Sequence, residues 1–330
     1  YNCKYCFCRG EITMSKLKHK MKVLLTVNLF AVGIMHAVNQ MIASSAVLKN
    51  ILKSGSGKKY AWRYGDVFYR KMGEGKPLLL IHDLHPFSSG YEWSQMEEKL
   101  KANHTLYIID LLGCGRSQKP GLTYTNYLYV QLLSDFIKEV IGEETDVAAT
   151  GLASSVVVMA AHQDSSLFRK IMMINPESLG KLDQIPDIKS KVIQTIMTIP
   201  IVGTSLYYLT CCRQNVEYLL TEKYLYNPFR IPQRCIDAYY EAAHSGRGNG
   251  KYLQACLDGY YLNFNIRAAL KNLSAETMIL YGEKQENGRE IAESYRRENS
   301  SIRLVPMYGT RMLPQLETPE ETLTQFENFF

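Results

Sequence analysis

The sequence predicts an α/β fold in which a mostly parallel sheet is covered by helices on both faces. Short apolar runs such as Pro77–His82 and Thr105–Asp110 lack polar alternation, which is typical of strands buried on both faces. These runs alternate with helical patterns such as Leu128–Ile141, as expected for parallel strands joined by helices. The alternation stops at Pro176 and resumes at Thr277, which indicates an inserted helical cap.

Composition and charge exclude some classes of function. The chain has 330 residues, of which 46% are hydrophobic and 21% charged, as in a globular protein with one large core. Residues 1–22 contain six basic residues and one acidic residue, so the remaining chain carries only about +1 of the total +6. A nucleic-acid partner is therefore not expected, because its footprint would be a basic surface on the folded domain. No cofactor is expected either.

An uncharged stretch of 26 residues, Val23–Leu48, follows the basic segment. A helix that crosses a membrane needs about 20 apolar residues, so this stretch is long enough to be a signal-anchor. Lysines on its N-terminal side would keep that end cytoplasmic and place the main domain outside the cytoplasm.

Two other interpretations of this stretch stay open. A signal peptide cleaved near Ala43–Ser45 would leave a secreted domain. An amphipathic helix packed on the domain or on a membrane surface would leave a cytoplasmic, peripheral protein.

The predicted organisation has five parts. Residues 1–13 are interpreted as upstream read-through or a fragment end, because the chain begins at Tyr1 and Met14 follows. Cys3, Cys6 and Cys8 lack a nearby fourth ligand, so no metal site is expected. The predicted parts are a basic segment at 1–22, an anchor or signal helix at 23–52, a linker at 53–59, an α/β core at 60–175 and 269–330, and a helical cap at 176–268.

The predicted strands and helices follow from local patterns. The strands are Tyr60–Tyr64, Val67–Lys71, Pro77–His82, Thr105–Asp110, Thr145–Thr150, Lys170–Asn175, Thr277–Tyr281 and Ile302–Pro306. The core helices are Trp93–Ala102, Leu128–Ile141, a helix from Val156, Arg289–Glu298 and Pro319–Phe329.

A strand, a turn and a helix around residue 153 form the frame of a nucleophile elbow, whose usual sequence is G-x-S-x-G. The outer positions must be small because the turn is sharp, and Gly151 and Ser155 satisfy this. The central residue is then Ala153, which has no hydroxyl. A register centred on Ser154 would put Leu152 and Val156 at the crowded positions, so it is less favoured.

Four motifs in order resemble the α/β-hydrolase superfamily, in particular its capped members with haloperoxidase- or esterase-like cores. The resemblance covers Gly65–Phe330. The motifs are Pro77–His82 before the oxyanion loop, the D-x-x-G-x-G-x-S turn Asp110–Ser117, the strand end Ile279–Glu283, and Leu313–Glu320 after the histidine position.

The resemblance implies a degenerate catalytic triad. In the family a serine attacks the substrate, a histidine takes its proton and a carboxylate orients the histidine. The equivalent positions hold Ala153, Gln285 and Met312, and none of these side chains can perform its role. The fallback candidates are Ser154 as nucleophile and Glu177 as acid.

The oxyanion loop also departs from the family pattern. Glycine commonly follows the residue equivalent to His82, whereas Asp83 follows it here. A carboxylate near the pocket would oppose the stabilisation of a negative intermediate. The backbone N–H groups of Leu84 and Ser154 are predicted to point inward, and His82 and Asp83 are predicted to lie at the pocket.

The sequence therefore favours a membrane-tethered protein that no longer hydrolyses. A largely apolar pocket under the cap would bind an apolar small molecule, or the protein would be an interaction module. The alternative is an active serine-type hydrolase of an ester or similar acyl substrate, with Ser154 as nucleophile. A third hypothesis is a structural partner without a ligand.

Overall fold

A computed structural model describes residues 4–52 and 57–330, with side chains from His19 onward. In this part of the chain one sheet has eight strands in the order β1-β2-β4-β3-β5-β6-β7-β8. The strands are β1 Lys58–Trp62, β2 Gly65–Met72, β3 Lys76–Ile81, β4 His104–Ile109, β5 Thr145–Thr150, β6 Phe168–Ile174, β7 Glu276–Gly282 and β8 Arg303–Met307.

The sheet is mostly parallel, which confirms the predicted fold class. Strands β1 and β2 pair antiparallel with each other, and β2 pairs antiparallel with β4. All other pairings are parallel, and in the central strand Leu80 pairs with Ile108 on one side and Ala148 on the other. The carboxyl ends of β3, β5, β6 and β7 therefore meet at one edge, where ligands bind in open α/β sheets.

Helices cover both faces of the sheet. The helices are α1 Lys4–Ala46, α2 Glu97–Leu100, α3 Asn126–Phe136, α4 Ala153–Gln163, α5 Leu179–Leu182, α6 Ile188–Thr198, α7 Val202–Thr210, α8 Arg213–Tyr218, α9 Gln233–His244, α10 Gly250–Asp258, α11 Arg267–Lys271, α12 Gly288–Glu298, α13 Pro314–Glu317 and α14 Pro319–Phe329. On one face of the sheet an apolar layer contains α3, α4, α11 and α12, and on the other face α14 packs around Trp93 and Phe326.

Two core helices differ from the sequence prediction. The helix predicted from Trp93 is a 3₁₀ turn, Gly90–Trp93, followed by the short α2. Trp93 and Met96 are both fully buried, and side chains three positions apart share a face in a 3₁₀ turn. Helix α3 continues into a wider π turn that ends at Gly142.

The segment between β6 and β7 contains helices and turns and no strand, as the described residues show throughout this stretch. An apolar cluster joins this segment to the edge of the sheet. Tyr207 and Tyr239 from the helices and Leu313 from the loop after β8 are buried in it. The segment thus covers the carboxyl ends of the parallel strands.

The N-terminal helix α1 contains a stretch, His19–Ala46, that is long and apolar enough to cross a membrane, with a mean hydropathy of 1.7 over its most apolar part. A signal sequence has the same properties. The end of α1 packs on α7 and α9 and buries Ala43 and Ala46. Of the predicted linker, residues 53–56 lie outside the described residues.

Candidate functional site

The sharp bend after β5 lies at Gly151. Gly151 has a φ of +57°, in the left-handed region that favours glycine, and α4 begins at Ala153. The small residues two positions before and after the bend are Ala149 and Ala153. The prediction that Ala153 occupies the apex is therefore corrected by two residues. The sequence prediction placed Gly151 at an outer position of the turn because glycine is small. In the structure Gly151 is the bend itself, because glycine adopts a positive φ without strain.

Ser154 lies inside the first turn of α4 and is fully buried. Its hydroxyl donates a hydrogen bond to the carbonyl oxygen of Ala149 at 3.0 Å. Its N–H, predicted to point into the pocket, donates to the carbonyl oxygen of Gly151 at 3.1 Å. The hydroxyl and the N–H of Ser154 therefore both donate hydrogen bonds within the strand-to-helix connection.

The carboxylate of Asp83 lies at the bend. Its Oδ1 accepts hydrogen bonds from the backbone N–H of Leu84 at 2.8 Å and of Leu152 at 3.0 Å. An ideal Cβ placed on Gly151 would lie 2.3 Å from the same oxygen. Leu152 thus takes the place predicted for Ser154, and a side-chain oxygen occupies the point where the two N–H groups converge.

Glu92 is a second buried acidic residue, and it contacts the backbone of Asp83. Burial raises the pKa of Asp83 to about 6, although its hydrogen bonds from Leu152 and Leu84 oppose this. Burial, reinforced by the charge of Asp83, raises the pKa of Glu92 to about 8. The Oε2 of Glu92 accepts from the backbone N–H of Asp83 at 3.1 Å. The oxyanion loop is therefore attached to a buried carboxyl group.

The loop after β8 brings Met312 to the bend. The Cε of Met312 would lie 2.9 Å from an ideal Cβ on Gly151. Asn175, at the end of β6, donates from Nδ2 to the carbonyl oxygens of Arg311 at 2.8 Å and Met312 at 3.0 Å. Its Oδ1 accepts from the N–H of Gly282 at 2.9 Å. Asn175 thus positions the loop that carries Met312.

Sequence reasoning missed this role of Asn175. The available signal was an Asn-Pro pair directly after a buried strand. Asn175 has a φ of +44°, and asparagine adopts this region more readily than most residues.

A cavity of about 320 Å³ brings the bend together with two of the three predicted triad positions, whereas Ala153 and Ser154 do not line it. Gly151, Gln285 and Met312 all line it. The full lining is Asp83, Leu84, His85, Gly151, Leu152, Asn175, Pro176, Glu177, Lys181, Tyr224, Leu257, Gln285, Gly288, Ile291 and Met312. Polar and apolar side chains contribute in similar measure, so this lining is more polar than the predicted pocket.

Glu177, the fallback acid, lies in this cavity but is already engaged. Its Oε2 pairs with the Nζ of Lys181 at 2.5 Å, and its Oε1 accepts from the N–H of Ser178 at 2.9 Å. Helix α5 begins at this point and places the ion pair on the rim of the cavity.

His82 bridges backbone groups beneath the cavity. Its Nε2 accepts from the N–H of Leu111 at 2.9 Å, so the proton is on Nδ1, which donates to the carbonyl oxygen of Asp83 at 2.6 Å. Burial lowers its pKa to about 4, which keeps the ring neutral. His82 is not among the residues that line the cavity, although it was predicted at the pocket.

His85 does line the cavity. Burial, helped by the charge of Lys181, lowers its pKa to about 3. Its ring packs on Phe87, with the ring centroids 3.5 Å apart. Among the side chains that the structure describes, no group of three or more His, Cys, Asp or Glu is placed to hold a metal ion.

Comparisons with known proteins agree with this fold. A sequence profile described as the alpha/beta hydrolase family matches residues 78–325. The chain therefore belongs to the α/β-hydrolase family.

Among curated proteins, an uncharacterized protein of Mycobacterium bovis is 26% identical over 113 residues, which are 34% of this chain and 33% of that protein. The match therefore spans about a third of the length of this relative.

Two solved structures are similar in fold. A serine hydrolase involved in carbazole degradation has a TM-score of 0.68 at 14% identity, covering 83% of this chain and 98% of that one. A membrane phospholipase A has a TM-score of 0.66 at 19% identity, covering 94% of this chain and 97% of that one. At these identities the likeness concerns the fold alone.

Proposed function

We propose that this α/β-hydrolase-family protein does not hydrolyse by a catalytic triad and binds a small molecule in the cavity beside Gly151, while α1 tethers it to a membrane. The observation that carries the proposal is the carboxylate of Asp83, which accepts hydrogen bonds from the Leu84 and Leu152 N–H groups.

The three triad positions support the loss of catalysis. The bend holds Gly151, which has no side chain to act as a nucleophile. Met312, whose thioether cannot act as a base near neutral pH, is the side chain that approaches the bend from the loop after β8. Gln285 cannot supply a negative charge. Removing the nucleophile or the base of such a triad costs on the order of 10⁶ in turnover.

The Asp83 carboxylate supports the same conclusion through the oxyanion. Two converging N–H groups normally stabilise the negative oxygen that develops during acyl transfer. Here those donors already serve Asp83, and its negative charge would repel a second anion at the same point. The site is therefore unsuited to the chemistry that it performs elsewhere in the family.

The lining suggests the class of ligand. A cavity of about 320 Å³ is within the size range of small-molecule sites. Oδ2 of Asp83 makes no hydrogen bond within the described residues, whereas Leu257, Ile291 and Met312 offer apolar contacts. The proposed ligand is a small molecule with an apolar body and a hydrogen-bond donor or a positive charge.

The apolar α1 supports the tether. Lys20 and Lys22 precede the uncharged stretch that begins at Val23, and basic residues favour the cytoplasmic side of a membrane. We therefore place the main domain on the extracytoplasmic side.

Hydrolysis is tested on the full-length protein in detergent, with a fluorophosphonate probe and a panel of short-chain esters. No covalent labelling and no turnover are expected for the native protein and for Ser154→Ala. Labelling of the native protein that Ser154→Ala abolishes would refute the proposal, because Ser154 would then be a nucleophile.

Ligand binding is tested by thermal unfolding in the presence of amphiphilic amines and alcohols. An amine that fits the cavity should raise the Tm of the native protein. It should raise the Tm of Asp83→Asn less, because the neutral amide cannot pair with a cation. Equal shifts in both proteins would exclude Asp83 from recognition of the ligand.

A further inference from the structure

One face of the cap exposes a cluster of large apolar side chains on α6 and the turn to α7. Ile188 is 81% exposed and Ile196 is 43% exposed. The cluster, here called the α6 face, comprises Ile188, Val192, Ile193, Ile196, Ile199 and Val202. Steps of three and four residues keep most of these side chains on one side of the helix. Contiguous apolar exposure of this kind marks an interaction site.

The α6 face lies beside the point where α1 leaves the body of the protein. Every residue of α1 from His19 to Ile34 is exposed. Asn39 is buried, and its Nδ2 donates to the carbonyl oxygen of Ile201 at 3.1 Å. The Oγ of Ser205 donates to the Oδ1 of Asn39 at 3.1 Å. The turn between α6 and α7 is therefore fixed to α1.

The length of α1 determines where a membrane surface would lie. The hydrocarbon core is about 30 Å thick, which about 20 helical residues span at 1.5 Å each. Counted from the charged end at Lys22, this distance ends near Ile42 of α1. The far boundary of the hydrocarbon thus falls next to Asn39 and the turn between α6 and α7.

We propose that the α6 face docks into the lipid surface around α1, so that the cap forms a second membrane contact. This inference rests on the membrane tether of the proposed function but not on the cavity. Lys189 and Lys191 are exposed on the same helix, and their long side chains would extend to the phosphates of the lipid headgroups. Helix α6 and Val202–Tyr224 are together apolar enough for a membrane span, but a bend of 104° separates them, which suits a surface contact.

The test uses the full-length protein in vesicles of phosphatidylcholine and phosphatidylglycerol, with or without bromine on the acyl chains. Ile188→Trp and Ile196→Trp place a fluorophore on the α6 face. Both positions are exposed, so either variant should fold. Glu143→Trp is the matched control, because Glu143 is exposed near the start of β5 at the opposite edge of the sheet. The unsubstituted protein gives the background of Trp62 and Trp93.

Brominated lipid should quench both α6 tryptophans at least twofold more than Glu143→Trp, and their emission should shift to the blue. Vesicle flotation measures the tether separately. If the protein floats with the vesicles but all three tryptophans are quenched equally, the α6 contact is refuted and the tether stands. Protein that does not float would overturn both the tether and the inference. If the α6 tryptophans are not quenched and α6 positions cross-link between two copies of the protein, the lipid contact is also refuted. The α6 face would then pair with the same face of a second copy.

Discussion

The Oδ1 atom of Asp83 lies 3.0 Å from the backbone nitrogen of Leu152 and accepts its hydrogen. Leu152 follows the bend at Gly151, so its N–H is the one that an α/β hydrolase uses for the substrate oxyanion. In this protein a side chain from the loop after β3 supplies a carboxylate oxygen at that position. The strand-to-helix connection and the loop after β3 are thereby joined without a substrate.

Gly151→Ala should destabilise the protein by about 1–3 kcal/mol, as estimated for overpacking and backbone strain. The new Cβ would lie 2.3 Å from Asp83 Oδ1, and alanine is strained at a φ of +57°. Urea unfolding measures the change. Gly180→Ala is the control, because nothing lies within 4 Å of an ideal Cβ there. Equal stability of Gly151→Ala and the native protein would contradict the bend geometry.

In Glu92→Gln the free energy of unfolding should fall less with rising pH than it does in the native protein. Burial raises the pKa of Glu92 from 4.5 to about 8. The folded state therefore holds this proton more tightly, and the free energy of unfolding falls as pH rises between these values. At pH 8 the variant should be more stable by on the order of 2 kcal/mol, the cost of a poorly compensated buried charge.

Thermal unfolding of the native protein and Glu92→Gln between pH 5 and 8 measures this difference. Asp83 contributes a slope of the same sign up to about pH 6. His82 and His85, whose pKa values burial lowers, contribute the opposite slope below their ordinary pKa of 6.5. The contribution of Glu92 to the pH dependence is therefore obtained by comparing the variant with the native protein. Glu74→Gln, at an exposed glutamate, is the control, and parallel curves for all three proteins would contradict the prediction.

Asn175→Ala should cost about 2–4 kcal/mol, since it removes a buried hydrogen bond from Gly282 and two partly buried ones to Arg311 and Met312. The amide of Gly282 should also lose protection in hydrogen exchange, because its acceptor is gone. Asn103→Ala, at an exposed position, serves as the control. Unchanged protection at Gly282 would show that Asn175 does not hold this loop.

A variant with Gly151→Ser, Asp83→Gly, Met312→His and Gln285→Asp should gain labelling by a fluorophosphonate. These changes supply a nucleophile, a base and an acid at the family positions and release the Leu84 and Leu152 N–H groups. The same variant with Gly151→Ala in place of Gly151→Ser is the control and should stay unlabelled. If the fourfold variant folds and remains unlabelled, these residues are not arranged as a triad site.

The sheet could be predicted from the sequence because strands buried on both faces read as continuous apolar runs. The positions of Gln285 and Met312 followed from motifs at the strand ends, and both line the cavity. The residue at the bend could not be identified from the sequence, because Gly151, Ala153 and Ser155 are all small and their spacing does not show which of them forms the bend. The direction of the Asp83 side chain depends on contacts 69 residues away along the chain, which no local pattern reports.

The 2.3 Å between an ideal Cβ of residue 151 and Asp83 Oδ1 couples these two positions. A serine at residue 151 would carry its Cβ at that point, so the Asp83 carboxylate must move or be replaced before a hydroxyl fits at the bend. A single substitution at residue 151 is therefore not expected to install a nucleophile in a working geometry.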